Sequence, residues 1–259
     1  SLNKVNKLFI VIVMTVWLWF INKMIIIFNF IKNLLFFNNK LTKSNILYHS
    51  NNYLIINKPY DMVVNSNDVT VKKTLENELK KMFPSLANPS LKNGFHFVHR
   101  LDYPTSGVIC IALNKNAARQ DTREIFGNKK MCTSDDDHCI KPRDSSTLLL
   151  VLEKGFCDGK PATKILLRPN TGRRHQLRVH CCYIGHTIIG DYTYSDRKDL
   201  KPHRTFLHSF RLALDSEVEK FDVQTSDPFN SEYYFNKWVP INFIYTLDSN
   251  TFDTIDKLL

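Results

Sequence analysis

The residues with the clearest chemical potential lie in one stretch, which reads His99-Arg100-Leu101-Asp102-Tyr103-Pro104-Thr105-Ser106-Gly107. Pro104 fixes one backbone angle and Gly107 permits an unusual one, so we expect a stiff turn that holds Asp102 in one place. A carboxylate fixed beside a base is suited to covalent catalysis. The pattern is equally typical of turns in which an aspartate bonds to the local backbone, so the spacing leaves both interpretations open.

A second candidate block runs from Thr171 to His186 and is rich in arginine and histidine. Thr171 is a suitable helix cap and Gly185 a suitable terminator, which predicts a helix between them. On that helix Arg174 and Arg178 lie one turn apart on the same stripe. Two such guanidinium groups could bind phosphate or pair with a buried carboxylate, and the alternative is a solvated basic face.

The sequence lacks the motifs that are typical of several other classes of site. The chain has no P-loop, no dinucleotide-binding fingerprint and no Gly-x-Ser-x-Gly elbow, and His175 and His180 lack the spacing of a metalloprotease helix. Cys132, His138 and Cys139 are close in sequence but lack C-x-x-C spacing, so we predict no metal site. The 6 cysteines are scattered, which is typical of a reducing compartment rather than of a secreted disulfide scaffold.

The elements around these blocks are mostly predicted strands. Apolar runs at residues 46–48 and 53–56 flank a Ser-Asn-Asn turn and predict a hairpin. The runs at residues 95–98 and 108–113 predict a strand, a tight loop at Asp102 and a second strand. Further strands are predicted at 62–64, 147–152, 162–167, 188–189, 206–214 and 221–224, and the aromatic tail at 233–245 is expected to cover an edge or end of the sheet.

Two further helices are predicted. Thr70 is expected to cap the first, which ends at Pro84, and residues 114–126 form the second. The inner face of the first carries Val71, Leu75, Leu79 and Met82. Strands covered by a few helices predict an α+β fold with a mixed, mainly antiparallel sheet.

The composition divides the chain into two parts. Residues 1–44 form an apolar leader, interpreted as a membrane anchor through residues 8–37, a removable targeting segment or translated non-coding sequence. Residues 45–259 carry the globular pattern and are predicted to form the domain that holds both candidate blocks. Within that domain, residues 127–146 are polar and acidic and are predicted to be a linker.

The charge balance indicates the kind of partner. The 259 residues include 35 Lys and Arg against 25 Asp and Glu, which gives a net charge of +10. This excess favours a polyanionic partner, nucleic acid first and an anionic membrane surface second. From charge alone, a basic surface without a committed partner remains the alternative.

Three segments follow one another in a fixed order: HRLDYPTSG, then TGRRHQLRVHCCYIGHTIIGDYTY, then LHSFRLAL, all after an opening LYHSNNYLIINKP. Together they closely resemble the RluA-type family of RNA pseudouridine synthases, from about Asn45 to Phe229. Within that family the chain is most similar to the RNA pseudouridylate synthase domain-containing proteins of animals. Two long motifs in the right order are far more specific than a single short pattern.

The resemblance implies isomerisation of uridine to pseudouridine in structured RNA, either rRNA or tRNA, without a cofactor and in a cleft across the sheet. It implies that Asp102 is the nucleophile and that Arg178 pairs with it, which keeps the carboxylate ionised. Arg100 is expected to enter the RNA stack where the target base leaves. The other residues implied to contact RNA or to steady the catalytic loop are His99, Thr105, Arg173, His175 and Gln176.

One segment of that family has no counterpart here. The family carries a strand with a Lys-x-Tyr-x-Ala pattern before the position of Thr147, whereas this chain passes from residues 125–130 directly into 131–133. Its loss would remove one central strand and the tyrosine that packs on the target base. Two function classes therefore stand side by side. The first is an active isomerase, supported by Asp102 and Arg178, and the second is a catalytically impaired RNA-binding member of the family.

Overall fold

The structure is a computed structural model that describes residues 40–68, 70–91, 94–119, 131–133 and 142–258. The helices in these ranges are α1 (Leu75–Met82), α2 (Lys115–Arg119), α3 (Gln176–Tyr183) and α4 (Ser249–Asp256). The strands are β1 (Ile46–His49), β2 (Tyr53–Lys58), β3 (His96–Phe97), β4 (Ser106–Ala112), β5 (Thr147–Cys157), β6 (Lys160–Pro169), β7 (His208–Ser209), β8 (Arg211–Asp215), β9 (Lys220–Gln224) and β10 (Trp238–Phe243). Single 3-10 turns lie at Lys43–Asn45, Pro84–Leu86 and Tyr234–Asn236.

The first sheet has the strand order β1-β2-β4-β3, and β7 joins it by pairing in parallel with β4. Its central pair, β2 and β4, is antiparallel and buried on both faces. Leu54 and Ile109 belong to the core cluster on one face, and their sequence neighbours Ile55 and Val108 belong to the cluster on the other. Because successive side chains of a strand point to opposite faces, this alternation makes the pair the centre of the core.

The remaining strands form two smaller antiparallel sheets, one with the order β10-β5-β6 and one made of β8 and β9. The architecture is therefore α+β with mainly antiparallel strands and a few flanking helices. This confirms the fold class predicted from the sequence. The strands are distributed over three sheets in the described residues.

The start of α1 differs from the prediction. The cap is Thr74, whose hydroxyl accepts a hydrogen bond from Asn77 N at 3.1 Å, and Thr70 instead bonds to Asp68. Thr74 pairs with Val63 in an isolated parallel bridge. That bridge holds the chain before residue 75 in an extended conformation, so the helix cannot begin earlier.

The start of α3 was also predicted too early. The helix begins at Gln176 rather than after Thr171, because His175 adopts a left-handed conformation with φ of 54°. A residue in that conformation cannot continue a right-handed helix towards its N-terminus. At the other end Gly185 has φ of +81°, and it ends the helix as predicted.

Two predicted strands were wrong, and the aromatic tail takes a more specific place than predicted. Residues 188–189 lie in a turn, with Asp191 N donating to Ile188 O at 3.0 Å. Residues 62–64 contribute the bridge at Val63 alone rather than a resumed strand. The aromatic tail supplies β10, which is itself the edge strand of the sheet that it was expected to cover.

Several predicted segments lie partly or wholly outside the described residues. The predicted helix 114–126 is described as helical at Lys115–Arg119, and residues 131–133 and 142–146 of the predicted linker have no regular structure. Residues 1–39 lie outside the described ranges, as do His138, Cys139 and most of the segment where the Lys-x-Tyr-x-Ala strand would fall. Leu41, within the predicted leader, packs in the core. In the described ranges, no helix has the length and apolar character needed to cross a bilayer.

Gly107 is required where β4 meets β7, and we expect Gly107→Ala to be strongly destabilising. Its φ is +108°, and an added Cβ would lie 2.1 Å from the backbone oxygen of Ser209. Gly159 is a matched control, because its φ of +75° is also unfavourable for alanine but nothing lies within 4 Å of its Cβ position. We expect both substitutions to lower the free energy of unfolding by about 1 kcal/mol from backbone strain. Gly107→Ala should cost roughly 1–3 kcal/mol more, because strand β7 must move. Urea denaturation measures both, and equal losses would contradict the steric argument.

Candidate active site

The Asp102 loop joins β3 to β4 and is pinned from two sides. Thr105 N donates to Asp102 O at 3.1 Å and closes the turn, and Met62 N donates to Tyr103 O at 3.1 Å. The Asp102 side chain retains 25% of its exposure. The loop therefore presents a carboxylate to solvent from a fixed backbone.

Lys58 fixes the same loop from beneath. Its ammonium group is buried at the end of β2 and donates to Met62 O at 2.8 Å, Pro59 O at 2.9 Å and Tyr103 O at 3.4 Å. Burial lowers the pKa of Lys58 to about 7, and the charge of Arg204 contributes in the same direction, against Asp61 and Asp102. The three hydrogen bonds of the Lys58 side chain are thus accepted by backbone carbonyl oxygens and not by a carboxylate. Lys58 was not among the site residues predicted from the sequence.

Arg178 joins two carboxylates. Its Nη1 donates to Asp102 Oδ2 at 3.1 Å, while Nε and Nη2 donate to the two carboxylate oxygens of Asp191 at 2.7 and 2.8 Å. The Arg178 side chain is 5% exposed and that of Asp191 is 0% exposed. Burial alone would lower the pKa of Arg178, but the hydrogen bonds and charge of Asp191, with those of Asp102, raise it. The guanidinium therefore stays charged and is held in one orientation against Asp102.

The family resemblance placed Arg178 beside Asp102, but Asp191 was not predicted. Besides Arg178, the Asp191 carboxylate accepts from Thr193 N at 3.1 Å and from Tyr194 N at 3.2 Å. The available signal was a carboxylate directly after Gly190, just beyond the strand predicted at residues 188–189. Its contact with Arg178 depends on how the turn at Asp191 packs against α3, which the local sequence does not indicate.

Gln176 locks the start of α3 to the start of β5. Its amide nitrogen donates to Ser146 O and to Thr147 Oγ1, both at 2.9 Å, and its amide oxygen accepts from Arg173 N at 3.0 Å and from Thr171 Oγ1 at 2.7 Å. The side chain therefore sets where Arg178 lies, two residues further along the helix. Arg173 is exposed, and its Nε donates to Asp144 O at 3.1 Å.

His175 lies between Asp102 and Tyr194. Its Nε2 is 3.8 Å from Asp102 Oδ1, and its Nδ1 is 3.0 Å from the hydroxyl of Tyr194. That hydroxyl accepts from Met131 N at 3.1 Å, and the Tyr194 ring lies 5.1 Å from the guanidinium carbon of Arg178. Burial lowers the pKa of His175; Asp102 opposes this effect, and Arg178 and Arg174 add to it. A neutral imidazole thus faces the carboxylate near pH 7.

The other predicted site residues occupy different places. Arg100 is exposed beside Asp102. His99 Nε2 accepts from Cys110 N at 3.0 Å, so this ring contacts the backbone of β4. Thr105 is buried, and its hydroxyl makes no hydrogen bond within the described residues. The structure therefore brings Asp102, Arg178 and His175 together. The side chains of Gln176, His99 and Arg173 form hydrogen bonds with nearby backbone groups instead.

A chain of hydrogen bonds supports the loop where it enters β4. Arg204 Nη2 donates to Ser106 Oγ, Ser106 Oγ is 2.6 Å from His208 Nδ1, and His208 Nε2 is 2.6 Å from Thr225 Oγ1. The hydroxyl of Thr225 donates to Phe210 O at 3.4 Å, so it accepts from His208. We therefore assign the proton of a neutral His208 to Nε2. The Arg204 guanidinium lies over the ring of Tyr60 at 4.4 Å.

The hydrogen bonds of His208 require an uncharged imidazole. The stability of the fold therefore depends on pH. Burial lowers the pKa of His208 from its ordinary value of 6.5 to about 3, with the charge of Arg204 contributing. Between those values the unfolded chain binds a proton that the folded chain does not, so stability falls as pH falls below 6.5. We expect His208 alone to contribute a loss of about 1.4 kcal/mol per pH unit. Burial also lowers the pKa of His175 and of His203, which act in the same direction.

Urea denaturation between neutral and mildly acidic pH measures this dependence. His208→Phe keeps an aromatic ring near Phe229, whose centroid is 6.2 Å from that of His208, but removes the titrating group. We expect the variant to be less stable at pH 7 and to show a shallower slope below pH 6.5. An unchanged slope would contradict the assignment of a neutral buried imidazole.

Comparison with known proteins links this geometry to one family. The family model described as RNA pseudouridylate synthase matches residues 52–183. RNA pseudouridylate synthase domain-containing protein 1 of Danio rerio is 37% identical over 253 residues, covering 84% of this chain and 86% of the relative. The dual-specificity RNA pseudouridine synthase RluA of Escherichia coli O157:H7 is 29% identical over 197 residues, covering 65% and 85%. The solved structure of Human RNA Pseudouridylate Synthase Domain Containing 1 aligns with a TM-score of 0.66 and 31% identity, covering 82% of this chain and 94% of that one.

Proposed function

This chain belongs to the RluA-type RNA pseudouridylate synthase family, and on that premise we propose that it isomerises uridine to pseudouridine in structured RNA with Asp102 as the nucleophile. Asp102 attacks the flipped-out nucleotide, and Arg178 keeps the attacking carboxylate ionised and oriented. The proposed substrates are rRNA or tRNA, and total cellular RNA contains both.

The observation that carries this proposal is the placement of Arg178 between Asp191 and Asp102. A carboxylate in a closing cleft loses solvation, which favours its neutral, non-nucleophilic form. A guanidinium that is itself anchored by a second buried carboxylate opposes that shift without being drawn away by substrate. A purely structural ion pair would not require one of its carboxylates to stay accessible, whereas Asp102 is 25% exposed.

The proposed reaction balances without an oxidant or a reductant. Asp102 forms a bond to the nucleotide, at the base or at the sugar carbon C1′, and the glycosidic bond between N1 and C1′ breaks. The detached uracil rotates, a new bond forms between C5 and C1′, and the bond to Asp102 breaks, which restores the free carboxylate. The proton on C5 is then lost while N1 gains one, so product and substrate are isomers. The chain's own groups at this site are the Asp102 carboxylate, the neutral His175 imidazole and the Arg178 cation.

The RNA contacts in this proposal come from both sides of the nucleophile. Arg100 is exposed beside Asp102, and we propose that its planar guanidinium fills the place of the flipped base. Arg173 is exposed at the start of α3 and is proposed to contact RNA phosphate. His175 is proposed to contact the nucleotide at Asp102, and Gln176, His99 and Thr105 to keep the cleft in shape.

A second candidate function is RNA binding without turnover. The observation that favours it is the missing Lys-x-Tyr-x-Ala segment before Thr147. A binding protein needs the basic surface but has no use for a carboxylate held ionised against an anchored arginine, so the enzyme is the better-supported function.

Tritium release tests the enzyme proposal directly. The full chain is incubated with total RNA labelled with 5-[³H]-uridine, because isomerisation removes the hydrogen on C5. We expect time-dependent release of tritium to water, and fractionation into rRNA and tRNA then identifies the substrate class. RNA bound by the chain without any release would favour the binding function.

A further inference from the structure

Tyr103 directly follows the candidate nucleophile and exposes 54% of its surface. An isolated exposed aromatic side chain is common on protein surfaces and by itself indicates nothing. The position of this one is unusual, because the neighbouring Asp102 side chain is held by Arg178 and His175 on the protein side. The exposed ring therefore belongs to the loop that carries the candidate nucleophile.

The backbone of Tyr103 is fixed although its side chain is exposed. Its carbonyl oxygen accepts from Met62 N at 3.1 Å and from Lys58 Nζ at 3.4 Å, and Pro104 restrains the next residue. A tyrosine side chain has only two rotatable bonds, so a ligand that orders it loses little conformational entropy. These constraints make Tyr103 a rigid aromatic surface.

Two other tyrosines in the described part of the site are already engaged. Tyr194 is 5% exposed, its hydroxyl bonds to His175, and its ring packs on Arg178. Tyr60 packs against the guanidinium of Arg204. Tyr103 differs from both because its ring projects from the loop with half of its surface accessible.

The charges around Tyr103 suit an RNA base. Burial and the nearby Asp61 raise the pKa of Tyr103, so the phenol is neutral at physiological pH and its ring carries no repulsive charge. Arg100 is exposed three residues earlier, so the two Cα atoms are at most about 11 Å apart. An aromatic ring beside a cation is the combination that binds unpaired nucleotides, by stacking on the base and by attraction to phosphate.

We propose that Tyr103 stacks on an unpaired RNA base next to the nucleotide that Asp102 attacks, so that the site selects single-stranded or locally opened RNA. This inference rests on the proposed function in taking RNA as the partner. It assigns the contact to the ring face of Tyr103 and not to its hydroxyl.

Binding of a fluorescein-labelled oligouridylate, followed by fluorescence anisotropy, tests the inference with the full chain. We expect Tyr103→Ala to weaken binding roughly 5- to 150-fold, which is the range for loss of one stacked base. Tyr103→Phe keeps the ring and should bind within about twofold of the parent. Phe243→Ala is the matched control, because Phe243 is a 65% exposed aromatic residue on edge strand β10, and its Kd should not change.

A tryptophan at this position adds a spectroscopic readout. Tyr103→Trp should retain affinity, and its emission should be quenched on addition of oligouridylate beyond any quenching of the parent. Equal Kd values for the parent and Tyr103→Ala, or an equal loss in Tyr103→Phe and Tyr103→Ala, would overturn the stacking contact. No binding of oligouridylate by the parent would overturn it as well. If binding depends on the Tyr103 ring but no tritium is released, the proposed isomerisation is contradicted and the stacking contact is supported.

Discussion

Replacing Asp102 with asparagine is expected to lower tritium release by at least about a thousandfold while leaving RNA affinity within about twofold. The amide has nearly the shape of the carboxylate, and its oxygen can still accept from Arg178 Nη1, which is 3.1 Å from Asp102 Oδ2. An amide oxygen cannot serve as the anionic nucleophile, so binding and turnover should separate.

The control for this substitution is Asp215→Asn. Asp215 pairs with Lys220 at 2.8 Å on the surface, and its side chain is 77% exposed. Its substitution should change neither turnover nor affinity. Turnover by Asp102→Asn comparable to that of the parent would remove Asp102 from the mechanism, whatever the control shows.

Arg178→Ala is expected to have the largest effect on the fold. It would leave the fully buried Asp191 carboxylate without its cation, and breaking a buried pair costs about 3–5 kcal/mol. Activity should fall as well, because Asp102 loses the cation that keeps it ionised. Urea denaturation measures the first effect and tritium release the second. Arg173→Ala removes an exposed arginine near the same helix and should change stability by less than about 0.5 kcal/mol.

A double-mutant cycle separates the ion pair from general loss of packing. Asp191→Ala removes the stranded carboxylate, so the double variant with Arg178→Ala should be markedly less destabilised than the sum of the two single variants. Strict additivity would mean that the Arg178–Asp191 contact contributes little. In that case the anchored-cation argument for Asp102 would fail.

The parts of the site that were predictable were those carried by contiguous motifs. The stretch from His99 to Gly107 predicted the strand, loop and strand around Asp102, and the resemblance placed Arg178 against it. The central strands were equally accessible, because β2 and β4 are continuous apolar runs bounded by turn residues.

The parts that were missed depend on contacts between distant segments. Lys58 bonds to one carbonyl oxygen of a loop 45 residues away, and nothing in its local pattern distinguishes it from a surface lysine. Asp191 is defined by an arginine on another element. Both predicted helix starts failed for the same reason. A bridge to Val63 fixes Thr74, and a left-handed residue at His175 with a bonded Gln176 fixes α3.

The hydrogen bond from Arg204 to Ser106 joins residues 98 positions apart, and the one from Arg178 to Asp102 spans 76. Contacts between residues so far apart in sequence form late in folding. The conformational entropy of a long loop must be lost before such a contact can stabilise the chain. During synthesis, the loop that carries Asp102 leaves the ribosome well before Arg178, Asp191, Arg204 and His208. A nascent chain that ends before α3 therefore has the nucleophile, on a loop bonded to Lys58 and Met62, but lacks the cation that pairs with it. Competence for chemistry should appear only after β7 has left the ribosome, when the last of these partners docks.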